Sequence, residues 1–177
     1  MENDTRPLAV FDLDNTLAGT AHRQHFLEGA RRDWAAFFAA AVDDPPLPEG
    51  VRMVHASAEE CRIVYLTGRP ERCRRDTVRW LSRQGLPEGT LFMRRNDDRR
   101  PARRTKLDIL RQLGRTGRVR MLVDDDELVC DAAEVAGFAV VRARWADPSD
   151  ALKDAQEREG VPDQAFSSSR KPTFRPT

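Results

Sequence analysis

The chain has 177 residues, of which 33% are charged, and its formal net charge is +1. This length suits one domain with a buried core, and the near-zero charge excludes a strong overall field that would draw the chain to nucleic acid or to a membrane. No apolar run approaches the roughly 20 residues of a membrane span, and the first residues lack the apolar segment of a signal peptide.

The cysteines are three in number and widely spaced, at Cys61, Cys73 and Cys130. Their spacing matches neither a disulfide framework nor a zinc motif, so we expect them to be small buried residues. We therefore expect a cytoplasmic protein, since the cytoplasm keeps thiols reduced.

The first predicted strand, residues 8–11, ends in two carboxylates that one residue separates, Asp12 and Asp14. A short apolar run without alternation is typical of a parallel strand that is buried on both faces. The carboxyl ends of such strands border the crevice in which open α/β sheets bind ligands. Two carboxylates this close repel each other unless a cation or a proton lies between them, and Mg²⁺ prefers oxygen ligands. Taken alone, the pair is equally compatible with an Asx turn followed by a helix cap.

An amphipathic helix is predicted over residues 20–44, as an insert after the first strand, and a second helix is predicted over residues 49–60. Prolines end the first of these helices, because they cannot continue a helix. Such an insert either overhangs the end of the first strand or packs its aromatic side chains on the core. Three basic residues near its start contact either substrate or solvent: His22, Arg23 and His25. The apolar residues of the predicted helix are Phe26, Ala30, Trp34, Phe37, Phe38 and Ala41.

The second predicted strand, residues 62–66, runs into a hydroxyl and a glycine, and a helix is then expected to start at Pro70. Backbone N–H groups at a helix N-terminus attract phosphate, and proline suits the first helical turn. The sequence therefore predicts an anion site at this junction. The residues expected to contact the anion are Thr67, Gly68, Arg69 and Arg72.

A third predicted strand, residues 91–93, precedes a charge-rich stretch over residues 94–104 that contains six arginines. Charge runs of this kind usually form a solvated loop. The alternative is a surface that binds a polyanionic substrate. The stretch has no interleaved aromatic residues, which disfavours a role in stacking on bases.

A compact helix is predicted to begin after a cap at Thr105 and to end at Gly114. This places Lys106 at the first helical position, where its compact ammonium suits a crowded anionic centre. The other two lysines, Lys153 and Lys171, lie in or near a polar tail. Lys106 is therefore expected to be the single lysine of the folded core.

The fourth predicted strand, residues 120–123, ends in three consecutive acids, Asp124, Asp125 and Asp126. A helix over residues 127–136 and a fifth strand over residues 138–141 follow. Residues 163–177 are predicted to form a flexible polar tail.

Strands alternate with helices along the chain, which predicts an α/β fold with a doubly wound parallel sheet. We expect one domain over residues 1–162, in which residues 20–60 form the helical insert. Every candidate residue follows a strand or begins a helix, so we expect all of them to meet at one edge of the sheet. These residues are Asp12, Asp14, Thr67, Lys106, Asp124 and Asp125.

This constellation resembles the haloacid dehalogenase (HAD) superfamily of phosphotransferases. The resemblance spans about residues 8–145 and rests on Phe11-Asp-Leu-Asp14-Asn-Thr16, Leu66-Thr67-Gly68-Arg69, Lys106 and Val123-Asp124-Asp125. Within the superfamily, the chain is most similar to the phosphatase domain of the polynucleotide kinase/3′-phosphatase type, through Leu-Thr-Gly-Arg-Pro-Glu, the arginine-rich stretch before Lys106 and the paired aspartates. Asp126 departs from the family pattern as a third acid, which leaves open which of the three acids holds the metal.

The resemblance implies a Mg²⁺-dependent phosphatase that acts through an aspartyl-phosphate. Asp12 would attack phosphorus, and Asp14 would protonate the leaving oxygen and then activate water. Thr67 would donate to a phosphoryl oxygen, and Lys106 would balance charge between nucleophile and phosphate. The implied Mg²⁺ ligands are Asp12, the backbone carbonyl of Asp14, Asp124 and Asp125, the last directly or through water.

The implied substrate is a nucleotide or a polynucleotide 3′-phosphate end, and the alternative is another small phosphorylated metabolite. The near-neutral charge favours a small substrate, whereas the arginine run favours a polynucleotide. A non-catalytic receiver-like domain has a different motif order, with the acid pair first and a lone phosphorylated aspartate second. A nucleic-acid-binding module would leave the carboxylates unexplained. We expect no membrane association and no obligate protein partner.

Overall fold

The structure of the protein, a computed structural model, describes residues 5–28, 30–146 and 150–158. Within these residues, five strands form one sheet in which all neighbouring strands are parallel. The strands are β1 (Leu8–Phe11), β2 (Arg62–Pro70), β3 (Gly89–Arg94), β4 (Val119–Asp124) and β5 (Val140–Arg142). Their order across the sheet is β3-β2-β1-β4-β5.

Helices cover both faces of this sheet, as the buried apolar strands require. They are α1 (Trp34–Ala39), α2 (Pro48–Ala58), α3 (Arg74–Arg83), α4 (Ala102–Thr116), α5 (Glu127–Val135) and α6 (Asp150–Arg158). Ala9 and Phe11 of β1 belong to the core under α2 and α3, whereas Leu8 and Val10 belong to the core under α4 and α5. The predicted doubly wound parallel α/β fold is confirmed.

The strand order reverses between β1 and β4, because the chain first builds β2 and β3 on one side of β1 and then crosses to the other side. Open α/β sheets bind ligands at the carboxyl ends of the strands at such a reversal. Asp12 directly follows β1, and Asp124 is the last residue of β4. The fold therefore brings the acids that follow the first strand and the acids that end the fourth strand to the same point.

The single helix predicted over residues 20–44 is wrong. The segment forms a 3₁₀ helix (Ala21–Leu27), then α1, then a second 3₁₀ helix (Ala40–Asp43). Asp33 starts α1 anew, because its side chain accepts a hydrogen bond from the Ala36 amide at 2.9 Å, and short acidic side chains favour such caps over a helix interior. The apolar side chains of the insert form a separate small core with α6, which consists of Leu27, Trp34, Phe37, Phe38, Leu152 and Ala155.

The helix predicted to start at Pro70 begins later. β2 continues through Pro70, and a short 3₁₀ turn (Glu71–Cys73) precedes α3. Thr67 and Gly68 therefore lie in the extended end of β2 and not at a helix N-terminus. The strand is longer than predicted because it pairs with β3 as far as Pro70.

The helix that carries Lys106 is longer at both ends than the sequence indicated. α4 starts at Ala102, directly after Pro101, whose fixed φ favours a helix start. Lys106 consequently lies in the second helical turn and not at the first position. Gly114 lies inside α4 and does not end it.

The helix α6 was not predicted, and it packs against the insert. The predicted tail over residues 163–177 lies outside the described residues. In the part of the chain that the structure describes, no helix is both long and apolar enough to cross a membrane.

Candidate active site

The loop after β1, which carries Asp12 and Asp14, is held by several hydrogen bonds. The Asp12 amide donates to the Val123 carbonyl at 2.9 Å, which ties the loop to β4. Asn15 has a left-handed φ of 59°, a conformation that asparagine tolerates better than most residues. Its side-chain oxygen accepts a hydrogen bond from the Thr20 hydroxyl at 2.7 Å. The two aspartates are therefore presented by a defined backbone.

Three carboxylates meet where the strand order reverses. One oxygen from each of Asp12, Asp124 and Asp125 lies within 4.8 Å of the other two. The Lys106 ammonium lies 2.9 Å from Asp12 Oδ1 and 2.7 Å from Asp124 Oδ2, and Lys153 Nζ lies 3.1 Å from Asp125 Oδ2. Three acids with two lysines leave one net negative charge, and oxygen-only ligands suit a hard divalent cation. The residues present therefore fit a metal ion of the Mg²⁺ class.

The pKa shifts in this cluster show how far the acids are crowded. Burial raises the pKa of Asp12 well above its ordinary value, although Lys106 opposes the shift. Burial, followed by the charge of Asp124, raises the pKa of Asp125 to about 7. Burial alone would lower the pKa of Lys106, but Asp12 and Asp124 outweigh it and raise that pKa above its ordinary value. The cluster thus favours additional positive charge.

Asp126, the third consecutive acid, has a different role. Its Oδ1 accepts hydrogen bonds from the amides of Leu128 and Val129 at 2.9 and 3.4 Å, which caps the N-terminus of α5. The geometry therefore groups Asp124 and Asp125 with Asp12, and it uses Asp126 as a structural cap.

The side chain of Asp14 turns away from the carboxylate cluster toward two buried arginines. Arg23 Nη2 donates to Asp14 Oδ1 at 2.7 Å, and Arg69 donates to the same oxygen through Nε and Nη2 at 3.0 and 2.6 Å. Burial raises the pKa of Asp14, but Arg69 and Arg23 outweigh that effect and lower the pKa to about 2. Asp14 Oδ2 has no hydrogen-bond partner among the described residues. One oxygen of Asp14 is thus anchored by two arginines, whereas the other is buried without a partner among the described residues.

The same two arginines bind a second acid, Asp44. Arg23 donates to its two oxygens through Nε and Nη2, both at 2.7 Å, and Arg69 Nη2 donates to Oδ2 at 2.8 Å. Asp44 is buried, and its backbone carbonyl accepts a hydrogen bond from Trp80 Nε1 at 2.8 Å. Two buried acids and two buried arginines therefore form a network of balanced charge, defined here as the arginine network (Asp14, Arg23, Asp44 and Arg69).

Sequence reasoning left the role of Arg23 open and treated Asp44 only as part of the segment that ends the insert. The one signal in the sequence is that both lie at the borders of the insert, on either side of its apolar residues. That signal does not show that the two borders converge on Asp14.

The four residues predicted to contact an anion after the second strand lie in different surroundings. Thr67 is buried, and its hydroxyl accepts a hydrogen bond from the Arg69 amide at 3.2 Å. Gly68 borders a small cavity together with Asp12, Asp14 and Lys106. Arg72 is exposed and lies with its guanidinium 5.9 Å from the centroid of the Phe38 ring. The structure therefore places Gly68 beside the acids and Thr67 in a cavity that Lys106 also borders. It uses Arg69 to hold Asp14 and leaves Arg72 against the insert.

Lys106 is not the single lysine of the folded core, because α6 contributes Lys153 to the site. Lys153 Nζ donates to the Asp125 carbonyl at 3.0 Å in addition to its ion pair with the Asp125 carboxylate. Leu152 and Lys153 border the same small cavity as Asp12 and Asp14. Thus α6 borders the carboxylate cluster, and the insert packs against α6.

Solved structures with a similar fold support this assignment of the architecture. A chain of the Pnkp1/Rnl/Hen1 RNA repair complex is 20% identical with a TM-score of 0.67, covering 84% of this chain and 46% of that one. A chain of a second Pnkp1/Rnl/Hen1 complex is 21% identical with a TM-score of 0.67, covering 82% and 49%. The HAD-like hydrolase SP0104 from Streptococcus pneumoniae is 11% identical with a TM-score of 0.58, covering 88% and 93%.

The present chain thus spans about half the length of the Pnkp1 chains, and these likenesses show a shared fold. No curated protein matches the sequence. Residues 7–147 match the family of the polynucleotide kinase PNKP phosphatase domain. Because this match covers most of the chain, the chain belongs to the PNKP phosphatase-domain family of the HAD superfamily and is a hydrolase that acts on phosphoric monoesters.

Proposed function

We propose that the chain is a Mg²⁺-dependent phosphatase that acts through an aspartyl-phosphate on Asp12, on a nucleotide or a polynucleotide 3′-phosphate end. The observation that carries this proposal is the cluster at the reversal of strand order, in which Asp12, Asp124 and Asp125 lie within 4.8 Å of one another around Lys106. Phosphoryl transfer depends mainly on positioning and on neutralisation of charge, and this cluster provides both.

The ion would be held by the carboxylates of Asp12, Asp124 and Asp125. The side chain of Asp14 is committed to the arginine network, so its contribution to the metal would come from the backbone carbonyl, as the resemblance implies. When bound, Mg²⁺ neutralises the charge of the phosphate and thereby lets an anionic nucleophile approach an anionic substrate.

The Asp12 carboxylate is the nucleophile in this proposal. One of its oxygens forms a bond to phosphorus while the bond from phosphorus to the leaving oxygen breaks, and Asp14 gives that oxygen a proton. Water then attacks phosphorus, Asp14 accepts the proton, and phosphate leaves with regeneration of the Asp12 carboxylate. Thr67 would donate to a phosphoryl oxygen. The ammonium of Lys106 would balance the negative charges of Asp12 and the phosphate.

The arginine network supports the role of Asp14. Arg23 and Arg69 fix Oδ1, whereas the buried Oδ2 has no partner among the residues described, and Asp14 borders the same cavity as Asp12 and Lys106. A bound phosphate next to that oxygen would raise the pKa of Asp14, because a nearby negative charge favours the protonated form.

The substrate class rests on the family and on charge. The family is defined by the phosphatase domain of a polynucleotide kinase, and two solved relatives in fold belong to RNA repair complexes containing Pnkp1. The stretch over residues 94–104 brings arginines to the edge of the site, where Arg94, Arg95 and Arg100 border a cavity next to Thr67 and Lys106. These features favour a nucleotide or a nucleic-acid end over another small phosphorylated metabolite.

The test is phosphate release from a generic aryl phosphate. We expect continuous turnover with Mg²⁺, loss of activity with a chelator, and recovery when Mg²⁺ is returned. Asp12→Asn should abolish turnover while the circular dichroism spectrum and the melting temperature show an intact fold. Asp76→Asn, which removes an exposed acid from α3, should leave turnover unchanged.

Two outcomes would contradict the proposal. Most of the activity remaining in Asp12→Asn would reject this nucleophile, and a single stoichiometric phosphorylation without turnover would indicate a receiver-like protein. Once turnover has been observed, a panel of phosphorylated metabolites, nucleotides and end-phosphorylated oligonucleotides would identify the substrate class.

A further inference from the structure

A second cavity lies directly beside the candidate active site. It has a volume of about 110 Å³ and is bordered by the carboxyl ends of β2 and β3, by the loop after β3 and by α4. Thr67 and Lys106 border it, and both also belong to the proposed catalytic site. A group bound here would therefore lie close to the scissile phosphate of the proposed substrate.

Arg94, the last residue of β3, borders this cavity and is only 4% exposed. Its Nε and Nη2 have no hydrogen-bond partner among the described residues, and Nη1 reaches the Asp98 carbonyl only at 3.5 Å. A buried guanidinium with two unsatisfied nitrogens is costly, since buried charges are normally paired. Burial lowers the pKa of Arg94 below its ordinary value, in agreement with this missing partner.

The carboxylates near Arg94 are already committed to other arginines. Asp98 pairs with Arg100 at 2.7 Å, and Glu157 of α6 pairs with Arg103 at 3.1 Å. Arg95 also borders the cavity, but it is exposed and pairs with Asp97 at 3.0 Å. Arg94 is thus distinguished from its neighbours by being buried and unsatisfied.

The cavity is large enough for more than one water molecule. Its volume of about 110 Å³ exceeds the roughly 10–15 Å³ that a single water needs on the same measure. A tetrahedral oxyanion such as phosphate therefore fits. Guanidinium groups bind phosphate through two parallel hydrogen bonds, and Nε and Nη2 are the two nitrogens left for such a contact.

We propose that Arg94 and this cavity bind a second phosphate of the substrate, adjacent to the phosphate that is removed. The inference rests on the proposed function and narrows its substrate class. In a nucleotide or a nucleic-acid end with a 3′-phosphate, the second phosphate is the one on the 5′ oxygen of the same sugar. The chemistry is the same for a free nucleoside 3′,5′-bisphosphate and for the terminal phosphodiester of an oligonucleotide.

The experiment compares kcat/KM for thymidine 3′-monophosphate, thymidine 3′,5′-bisphosphate and a 3′-phosphorylated oligothymidylate. We expect the last two to be preferred over the monophosphate by about 10- to 100-fold, the usual effect of a hydrogen-bonded charged contact. If kcat/KM is higher for the oligonucleotide than for the bisphosphate, the second phosphate is that of the terminal phosphodiester. If the two values are equal, a free nucleoside bisphosphate is sufficient. Equal values for all three substrates in the wild-type chain would overturn the inference.

Arg94→Gln should bring the ratio of bisphosphate to monophosphate activity close to one. The ratio is measured within one preparation, so partial misfolding does not change it. Arg94→Lys keeps the charge but loses the forked geometry, so it should give an intermediate ratio. It also serves as the test variant if Arg94→Gln does not fold. Arg99→Gln removes the same charge from an exposed position in the same loop and should keep the full preference. An equal loss in Arg99→Gln would assign the preference to general charge and reject the specific contact.

Failure of this inference is distinguishable from failure of the proposed function. If the aryl phosphate is hydrolysed with Mg²⁺ but the three thymidine substrates behave alike, the phosphatase stands and the second phosphate site falls. If no substrate is hydrolysed, the proposed function itself falls.

Discussion

Asp44 shows how much a single side chain contributes to this site. Its two oxygens accept hydrogen bonds from Arg23 and Arg69, which also hold Asp14. Asp44→Ala would leave two buried arginines with one acid between them. We expect a loss of about 3–5 kcal/mol in the free energy of unfolding, the usual cost of breaking a buried ion pair. Urea denaturation measures this change.

The matched control for Asp44 is its neighbour Asp43, which is exposed. Asp43→Ala should change the free energy of unfolding by no more than about 0.5 kcal/mol, as exposed substitutions usually do. Asp44→Ala should also reduce kcat, because Asp14 loses part of the support for its orientation. Equal and small losses in both variants would show that the arginine network contributes little.

The three thiols are expected to differ in reactivity. Burial, followed by the charge of Asp124, raises the pKa of the Cys130 thiol to about 12, so at pH 8 only about one molecule in ten thousand carries the thiolate. Cys61 is also buried, whereas Cys73 is partly exposed, although burial raises its pKa too. We expect a thiol reagent at pH 8 to label Cys73 first in the native protein and all three cysteines after unfolding.

The variant Cys73→Ser isolates the fast reaction. It should remove the early labelling and leave the two slow thiols unchanged. Labelling of Cys130 at the rate of a free cysteine would contradict the burial of this residue.

Among the helices, α2 is placed by one close approach. A Cβ atom added to Gly50 would lie 2.0 Å from the Thr16 carbonyl oxygen, which also accepts a hydrogen bond from Trp145 Nε1 at 2.9 Å. Gly50→Ala must therefore push α2 away from the loop that follows the first motif. We expect a loss of about 1–3 kcal/mol in the free energy of unfolding, as for other overpacked sites, measured by thermal denaturation.

Gly114 provides the opposite case within α4. A Cβ atom there would meet the Phe138 ring at 3.5 Å, an ordinary van der Waals distance. Because glycine in a helix interior is less stable than alanine by about 0.5–1 kcal/mol, Gly114→Ala should raise the melting temperature while Gly50→Ala lowers it. A change of the same sign in both variants would contradict these two environments.

The strands and most helices follow from the sequence because their apolar runs and turn residues are local signals. The boundaries that failed depend on tertiary contacts or on competing caps. β2 extends past Leu66 because β3 pairs with it, and the insert is broken where Asp33 caps a new helix. α6 has few apolar residues, so its sequence gives only a weak helical pattern. Leu152 and Ala155 are buried because the aromatic side chains of the insert pack against them.

At the scale of the whole molecule, the charges of the arginine-rich stretch are largely compensated. Arg95 pairs with Asp97, Arg100 with Asp98 and Asp108, and Arg103 with Glu157. Few cations are therefore left to contact phosphates of a substrate. Each contact with a single strand contributes about −0.7 to the slope of log(kcat/KM) against log(salt concentration). For a 3′-phosphorylated oligonucleotide we therefore expect a slope of about −1 to −3.

The aryl phosphate serves as the control for this salt series, because it has no neighbouring phosphates. Its kcat/KM should change much less over the same range of salt concentration. A flat response for the oligonucleotide as well would count against a polynucleotide substrate and favour a small phosphorylated metabolite.

The candidate site was predictable where its residues follow strands. The sequence predicts Asp12, Asp14, Thr67, Asp124 and Asp125 at one edge because the carboxyl ends of parallel strands meet there. It also predicts Lys106 with them, although α4 begins earlier than expected. It does not identify Asp44 or Lys153, since each reaches the site from a segment whose position is set by packing. The unsatisfied state of Arg94 is likewise a property of the folded molecule, because the sequence shows only one arginine among six.

The late position of α6 in the chain has a consequence for synthesis on the ribosome. Domains generally fold as units, and Leu152 and Lys153 follow all five strands in the chain, so this unit cannot be completed before α6 has been made. Until then, the aromatic side chains of Trp34, Phe37 and Phe38 lack their partners from α6, and Asp125 lacks its lysine. A chain that lacks α6 would therefore expose apolar surface of the insert and leave Asp125 without its ion pair, so one late helix completes both the small core and the charge balance of the site.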